Sequence, residues 1–331
     1  MKTIAFFNNK GGVGKTSLVY HLSWMYAKLG LKVVVADLDP QANLTTMFLS
    51  EEQLIELWSY EDEKESILSY INPILEGTGD ITTPTSILLF SEQQAIGLIA
   101  GNLGLSAFED NLAVEWSRCL DRKKDAFRTI SAFYRILLAA SEQQHADVVL
   151  IDVGPNLGAI NRSALIAADY IIIPLAPDLF SLQGLKNLGP RLRIWREEWQ
   201  ERLAKNTEAN LPLPLGKMQP AGYIILQHSV LEGRLVKAYR YWMELMPNIY
   251  RKYVLDEKEE LSTPKDRYCL ATLKNYRSLM PLAMKAHKPI FSLKPADGAM
   301  GTYSKAVTNC STDFKKLAGK IANICDISFA S

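Results

Sequence analysis

The stretch NNKGGVGKT, residues Asn8 to Thr16, decides the fold of this 331-residue chain. Its end fits the phosphate-binding loop pattern G-x-x-x-x-G-K-[ST], but asparagine stands where that pattern opens with glycine, and Lys10 adds a second lysine. The short apolar run before the loop predicts a buried strand. Apolar residues at helical spacing follow the loop as far as Gly30, and residues 33–36 predict a second strand. Strand, loop, helix and strand together predict a βαβ unit.

Further apolar runs extend this pattern along the chain. Each is followed by a turn and a helical pattern, and they predict buried strands at 148–152, 170–175 and 222–226. Continuous apolar strands that alternate with helices are typical of a parallel sheet whose two faces are both covered. The sequence therefore predicts an α/β fold, a doubly wound and mostly parallel sheet with helices on both faces.

Composition narrows the class of protein. Lys and Arg (37) nearly balance Asp and Glu (36), so a basic surface would have to be a local patch. The four cysteines are scattered without a C-x-x-C pair, which predicts buried thiols in a reducing compartment and argues against a zinc site. The first apolar run is too short for a signal peptide and no apolar stretch is long enough to span a bilayer. We therefore expect a cytoplasmic protein.

The loop predicts the contacts of a nucleoside triphosphate. Backbone N–H groups of a glycine-rich turn and the start of the following helix bind phosphate oxygens. We expect Lys15 between the β- and γ-phosphates and the hydroxyl of Thr16 on Mg²⁺. Asp152, at the end of a predicted strand, would hold the metal through water. The predicted ATP-binding residues of the loop are Gly11, Gly12, Val13, Gly14, Lys15, Thr16 and Ser17.

Two further carboxylates, Asp37 and Asp39, follow the second predicted strand. They could simply cap the next turn, since aspartate favours such positions. Parallel strands bring their carboxyl ends to one edge of the sheet, however, so both should lie beside the phosphate loop. There one carboxylate can orient the attacking water and the other can join the metal shell. We favour Asp39 for the water and Asp37 for the metal.

Several segments together resemble a known family. KGGVGKT, VVVADLDPQANLT and the run from DVVLIDVGP to SLQGL are similar to the ParA/MinD group of deviant Walker A P-loop ATPases, and ParA-type partition ATPases are the most similar members. Lys10 aligns with the lysine that gives the group its name, residues 37–43 with its D-x-D-P-Q-x-N segment, and Asp152 with its Walker B acid. The resemblance implies a single P-loop domain over 1–331, with family-divergent helical segments at about 50–95 and 186–279.

The resemblance also implies a mechanism. Members form a homodimer with ATP and Mg²⁺ in which the lysine equivalent to Lys10 reaches the partner subunit's phosphates, and their weak ATP hydrolysis is stimulated by a partner protein. A lysine supplied in trans neutralises developing phosphate charge as an arginine finger does. The alternative for Lys10 is a solvated surface lysine. The sequence departs from the family at Val153 and Gly154, which replace Thr-Pro, and at Gln227, a candidate for the adenine edge that could equally be a strand-end cap.

Two kinds of ligand are compatible with the sequence of such an ATP-dependent dimer, DNA and a membrane. A ParA-like ATP dimer would bind non-specific DNA on the nucleoid and position a plasmid, chromosome or protein cargo, and it needs only clustered cations. The candidates are Lys274, Arg277, Lys285, Lys288, Lys315 and Lys316, with Lys320. The alternative is a MinD-like ATPase that binds membrane through its C-terminal helix, where Phe314, Leu317, Ile321 and Ile324 form an apolar stripe.

Other classes find less support. A metallocluster enzyme on this scaffold needs cysteines near the Walker B strand, and none occurs between residues 120 and 268. Nothing supports a small-molecule ligase. Trp195 and Trp199 lie four residues apart in a charged helix, and a core-facing stripe is favoured there over a docking face.

Overall fold

The computed structural model describes residues 1–59, 65–84, 88–90, 95–228, 230–231, 234–235, 237–257, 266–276 and 278–329. The strands are β1 (Lys2–Phe6), β2 (Val33–Leu38), β3 (Leu88–Phe90), β4 (Ile96–Ile99), β5 (Val148–Val153), β6 (Tyr170–Leu175), β7 (Gln219–His228), β8 (Val230–Leu231), β9 (Arg234–Leu235) and β10 (Cys269–Lys274). The helices are α1 (Lys15–Lys28), α2 (Asn43–Phe48), α3 (Glu51–Trp58), α4 (Ile67–Leu75), α5 (Phe108–Arg118), α6 (Lys124–Ile130), α7 (Ala132–Gln144), α8 (Ala159–Ile166), α9 (Leu179–Leu203), α10 (Lys237–Ile249), α11 (Leu279–Ala286) and α12 (Thr302–Ile324).

The central sheet confirms the predicted fold class. Within the described ranges it has eight strands in the order β10-β7-β6-β1-β5-β2-β4-β3, and every neighbouring pair is parallel except β3 with β4 at one edge. The strand order reverses direction along the chain on either side of β1, so that helices cover both faces. The sheet is doubly wound and mostly parallel, as the strand pattern predicts.

The central strands are buried on both sides. In β1, Ile4 and Phe6 face a core with helices α1, α11 and α12, whereas Ala5 faces a second core with helices from α5 to α9. All three residues have no exposed surface. This two-sided burial explains why the strand sequences are continuous apolar runs and do not alternate with polar residues.

Two segments expected to be helical also contain strands. The segment at about 50–95 carries α3 and α4, but it also contributes β3 to the sheet edge. The segment 186–279 contains β7, which confirms the strand predicted at 222–226, and it also contributes β10 and the small antiparallel pair of β8 with β9. The prediction of helix was wrong for β10 because it is an edge strand that is only half-buried, so its sequence lacks the continuous apolar run of the central strands.

Aromatic residues of α9 lie in the core, which confirms the preferred interpretation of this helix. Trp195 is 3% exposed and Trp199 is fully buried, with its indole N–H donating to the carbonyl of Pro214 at 2.9 Å. The cysteines are free thiols; three are buried and Cys269 is half-buried. Burial raises the pKa of the Cys119 thiol to about 12, which keeps it protonated and unreactive.

The apolar stripe of α12 is also part of the core. Phe314, Leu317 and Ile321 are at most 4% exposed and pack in the same cluster as α1, while Ile324 at the end of the helix is 36% exposed. A face already covered by the protein is not available to lie on lipid. In the described ranges, no helix has both the length and the apolar content that crossing a bilayer requires.

The contact of α9 with the π-helical turn at Tyr250–Leu255 gives a test of the packing. A Cβ at Gly189 would lie 1.9 Å from the carbonyl oxygen of Tyr253, so Gly189→Ala should push the two elements apart and lower the free energy of unfolding by about 3 kcal/mol. Gly319, inside α12, has no atom within 4 Å of its Cβ position. Gly319→Ala is therefore the control and should stabilise by about 0.5–1 kcal/mol. Urea denaturation measures the free energy of unfolding of both variants. The same change in Gly189→Ala and Gly319→Ala would contradict the close packing at Gly189.

Candidate nucleotide-binding site

The phosphate loop lies between β1 and α1 at the carboxyl edge of the sheet. Gly12 and Gly14 have φ values of 72° and 90°, a left-handed conformation that glycine adopts without strain. Helix α1 has no acidic residue in its first turn, and no side chain of the described residues caps it. The first N–H groups of α1 and its positive dipole end are thus left for an anion.

Three predicted residues meet at the start of α1. Asp152, at the end of β5, is fully buried, and its Oδ2 accepts a 2.7 Å hydrogen bond from the hydroxyl of Thr16. Its Oδ1 lies 3.6 Å from the ammonium of Lys15, which is itself only 8% exposed. Burial raises the pKa of Asp152, although Lys15 and Thr16 oppose the rise. This buried lysine–carboxylate pair joins the phosphate loop to the central strand.

The surroundings of the Asp152 carboxylate show whether these residues could hold Mg²⁺. Asp152 Oδ1 is buried without a hydrogen-bond partner among the described residues, an arrangement that a cation or its water would satisfy. No group of three or more His, Cys, Asp or Glu side chains in the described ranges forms a metal cage. Mg²⁺ commonly uses one or two protein oxygens and completes its shell with water and phosphate. Thr16 and Asp152 therefore fit this ion.

Asp37 occupies the neighbouring strand end, opposite Asp152 in the β2–β5 register. Its Oδ2 accepts hydrogen bonds from the backbone N–H and the hydroxyl of Thr45, at 2.8 and 2.7 Å. The Thr45 hydroxyl oxygen in turn accepts from the N–H of Gly101 at 2.7 Å. Burial, followed by the nearby Asp152 carboxylate, raises the pKa of Asp37 to about 7. Asp37 thereby links the end of β2 to the start of α2 and, through Thr45, to Gly101 after β4.

Asp39 lies against the loop that follows β5. It is 4% exposed, and its Oδ1 accepts from the N–H of Gln41 at 3.0 Å. A Cβ at Gly154 would lie 3.2 Å from the same oxygen, so a glycine at this position allows the loop backbone to approach the carboxylate closely. Within the described residues, Oδ2 of Asp39 has no hydrogen-bond partner and remains available to a water molecule.

Lys10 lies apart from Lys15, at the rim of the site. Its ammonium pairs with the carboxylate of Asp178, the residue that caps α9, and lies 5.7 Å from the centre of the Phe180 ring. Burial alone would raise the pKa of Asp178, but the hydrogen bonds from Lys10 and from the Ser181 N–H lower it below its usual value. Lys10 is therefore held in a specific pair and is not a freely solvated lysine.

Sequence reasoning missed several of these neighbours. Thr45 and Asp178 lie inside the stretches that resemble the family, yet no pattern indicated their contacts with Asp37 and Lys10. Met280 at the start of α11 receives a hydrogen bond from the Ser17 hydroxyl at 3.5 Å, which brings α11 to the first turn of α1. Contacts of this kind join residues hundreds of positions apart, and only the folded chain shows them.

The remaining predicted residues divide into three groups. Arg277 and the side chain of Gln227 lie outside the described part of the structure. Lys288 is paired with Asp297 at 2.9 Å, and Lys274 lies 5.8 Å from the ring of Tyr276. The exposed candidates, with no ion pair to a described residue, are Lys285, Lys315, Lys316 and Lys320.

A glycine-rich loop before a helix, with a buried lysine and a strand-end carboxylate below it, defines a P-loop nucleotide-binding protein of the α/β class. A family model described as AAA domain, AAA_31, matches residues 1–205. The chain belongs to this family, which is the ParA/MinD family of ATPases.

Individual relatives agree with this assignment. The virulence plasmid ParA family protein pGP5-D of Chlamydia psittaci is 30% identical over 189 residues, which are 57% of this chain and 62% of that protein. The chain thus spans less than two thirds of that relative. The crystal structure of protein DIP2308 from Corynebacterium diphtheriae is 28% identical with a TM-score of 0.69, covering 87% of this chain and 97% of that one. The ATP complex of a Cyanothece McdA variant shares the fold, with a TM-score of 0.65 at 16% identity over 100% and 98% of the two chains.

The buried position of Asp37 predicts a pH-dependent stability. With a native pKa of about 7 against 3.8 for the unfolded chain, the native state binds the additional proton, so stability falls as pH rises from about 4 to 7. Asparagine keeps the acceptor for Thr45 but cannot ionise. In nucleotide-free and Mg²⁺-free protein, Asp37→Asn should therefore raise the free energy of unfolding by about 2 kcal/mol at pH 8, and by much less at pH 5.

Urea denaturation at both pH values measures this difference. The surface control Glu197→Gln should change the free energy of unfolding by about 0.5 kcal/mol or less at either pH. A loss of stability in Asp37→Asn that is the same at pH 5 and pH 8 would show that Asp37 is charged in the native state.

Proposed function

We propose that this protein is an ATP-dependent dimerisation switch of the ParA type, whose ATP-bound dimer binds non-specific DNA and positions a cargo on the nucleoid of the cytoplasm. The cargo is a plasmid, a chromosome or a protein assembly, and the chain 1–331 acts as one P-loop domain. The observation that carries the proposal is the separation of the two loop lysines. Lys15 is buried against Asp152, whereas Lys10 points to the rim and pairs there with Asp178.

The ATP site is assigned to the residues that meet at the carboxyl edge of the sheet. Lys15 and the loop N–H groups hold the phosphates, and Thr16 with Asp152 holds Mg²⁺, which lowers the charge on the phosphates when it is bound. Asp39 orients the attacking water through its free Oδ2. Asp37 supports the metal side by fixing the loops beside Asp152. Hydrolysis is slow without a partner protein that completes the site.

The surroundings of Lys10 support a second copy of the chain as its partner in the ATP state. Leu179 and Phe180, next to Asp178, are 54% and 72% exposed and form an apolar patch beside Lys10. Exposed apolar patches bordered by polar residues are typical of protein interfaces. A partner's triphosphate carries more charge than Asp178, so Lys10 would exchange one anion for the other only when ATP is present.

Lys10→Ala tests the switch. This variant should still bind ATP through Lys15 but lose the ATP-dependent dimer, with a dimer fraction at least about tenfold lower because the charge in trans is gone. Size-exclusion chromatography with light scattering, in Mg²⁺ with ATP and with ADP, measures the dimer. A fluorescent ATP analogue measures binding.

Lys32→Ala, which removes an exposed lysine at the opposite edge of the sheet, is the control and should dimerise like the wild type. A Lys10→Ala protein that dimerises with ATP as the wild type does would refute the proposed switch.

The surface of α12 supports DNA as the ligand of the dimer. With 3.6 residues per turn, Lys305, Lys316 and Lys320 lie within about 60° of one another around the helix and span about 22 Å along it. All three are exposed, and within the described ranges none forms an ion pair. A row of exposed cations along one helix face can contact the phosphates of a duplex and needs no base contact.

The double variant Lys305→Glu/Lys316→Glu tests this surface. Removal of two phosphate contacts should weaken binding to plain duplex DNA by about tenfold or more, and the slope of log K against log salt should fall by about 2. ATP-dependent dimerisation should be unchanged. Lys123→Glu/Lys124→Glu makes the same charge change at another exposed site and is the control. Equal DNA binding by both double variants would place the DNA surface elsewhere.

A further inference from the structure

The loop 154–158 is held in place by a side chain of the helix that follows it. The amide of Asn161, in the first turn of α8, donates to the carbonyls of Gly154 at 2.8 Å and Asn156 at 2.6 Å. Asn161 is 1% exposed, and its bond to Gly154 is shielded from water. The position of the loop therefore depends on the position of the start of α8.

The start of α8 is in turn held by a residue from another helix. Glu109, in the first turn of α5, accepts hydrogen bonds from the backbone N–H groups of Ala159 and Ile160, the latter at 2.9 Å. These are the first N–H groups of α8, which have no partner inside the helix. A carboxylate at this end also interacts favourably with the helix dipole. Glu109 thus caps the N-terminus of α8, although it belongs to another helix.

Gly158 shows that this arrangement excludes a local cap. It occupies the N-cap position of α8, where serine, threonine or aspartate would normally supply the acceptor. A Cβ at Gly158 would lie 2.5 Å from Oε1 of Glu109, so any side chain there would displace the glutamate. Gly158 thus supplies no capping side chain, and the acceptor for the first N–H groups of α8 is Glu109, fifty residues before Ala159 in the sequence.

Loop 154–158 forms one wall of the proposed hydrolytic site. The Cβ position of Gly154 lies 3.2 Å from Oδ1 of Asp39, the carboxylate assigned to the attacking water. Hydrogen bonds therefore run from Glu109 to the start of α8 and from Asn161 to Gly154, whose backbone passes close to Asp39. A shift of the loop would change the space beside this carboxylate.

We propose that Glu109 is a positioning residue for ATP hydrolysis. By fixing the start of α8 it keeps loop 154–158 against Asp39, so that the carboxylate faces the water in the geometry that hydrolysis needs. Glu109 itself touches neither nucleotide nor water. This inference rests on the proposed ATPase function and adds to it the residue through which α5 controls the rate of hydrolysis.

The test compares Glu109→Ala and Glu109→Gln with the wild type. The alanine variant removes both acceptors, and the glutamine variant keeps the shape and one acceptor oxygen but loses the charge. We expect kcat for ATP hydrolysis in Mg²⁺ to fall about tenfold in Glu109→Ala and by less in Glu109→Gln, because a misplaced water-orienting group costs rate. Binding of a fluorescent ATP analogue should stay within about twofold, since the phosphate loop is not altered.

A second measurement does not depend on turnover. Hydrogen exchange of the amides in 154–160 should become at least about tenfold faster in Glu109→Ala, while exchange in β1 and β5 stays as in the wild type. Ser50→Ala is the matched control. Ser50 caps α3 by accepting from the Gln53 N–H, so its loss should lower Tm to a similar extent and change neither kcat nor exchange in 154–160.

The outcomes separate the two proposals. Glu109→Ala with a lowered Tm but wild-type kcat and unchanged ATP affinity would reduce Glu109 to a structural cap and overturn the inference. A wild-type protein that binds ATP but never hydrolyses it would refute the proposed ATPase instead. In that case hydrogen exchange still tests Glu109, and unaltered exchange of the amides 154–160 in Glu109→Ala would overturn its positioning role. If the alanine variant does not fold, Glu109→Gln decides by the same two measurements.

Discussion

The buried contact between Lys15 and Asp152 is the interaction on which the rest of the site depends. A carboxylate with no exposed surface is costly to ionise, and it stays compatible with the fold because an ammonium at 3.6 Å and the Thr16 hydroxyl at 2.7 Å face it. This contact joins β5 to the first turn of α1. Asp37 and Asp39 lie close enough to Asp152 for the charges of the carboxylates to affect one another.

Close backbone approach is the second constraint at this edge. Gly101 and Gly154 stand where a Cβ would meet the carboxylates of Asp37 and Asp39, at 2.9 and 3.2 Å, and Gly158 stands where it would meet Glu109. Glycine at 154 thus allows the loop backbone to pass close to Asp39. The loops that follow β4 and β5 approach these three carboxylates closely because glycine has no side chain at the three positions.

Helix α9 extends the site beyond the sheet. It begins with Asp178, which holds Lys10, and its Gly184 brings the helix close to the side chain of Asn9 in the phosphate loop. Further along, Gly189 packs against the backbone of the π-helical turn. One helix therefore packs against both the glycine-rich loop after β1 and the π-helical turn at Tyr250–Leu255.

The sequence by itself determined the α/β class, the parallel strands and the positions of Lys15, Thr16 and Asp152, because glycine-rich loops and continuous apolar strands are local patterns. It did not determine β10, which is a half-buried edge strand, nor the burial of the α12 stripe, because the same amphipathic pattern suits a core or a lipid surface. The partners of Lys10, Asp37 and the first turn of α8 were decided only by the tertiary structure. Asp178, Thr45 and Glu109 come to these residues from other elements of the fold, and no local pattern records such contacts.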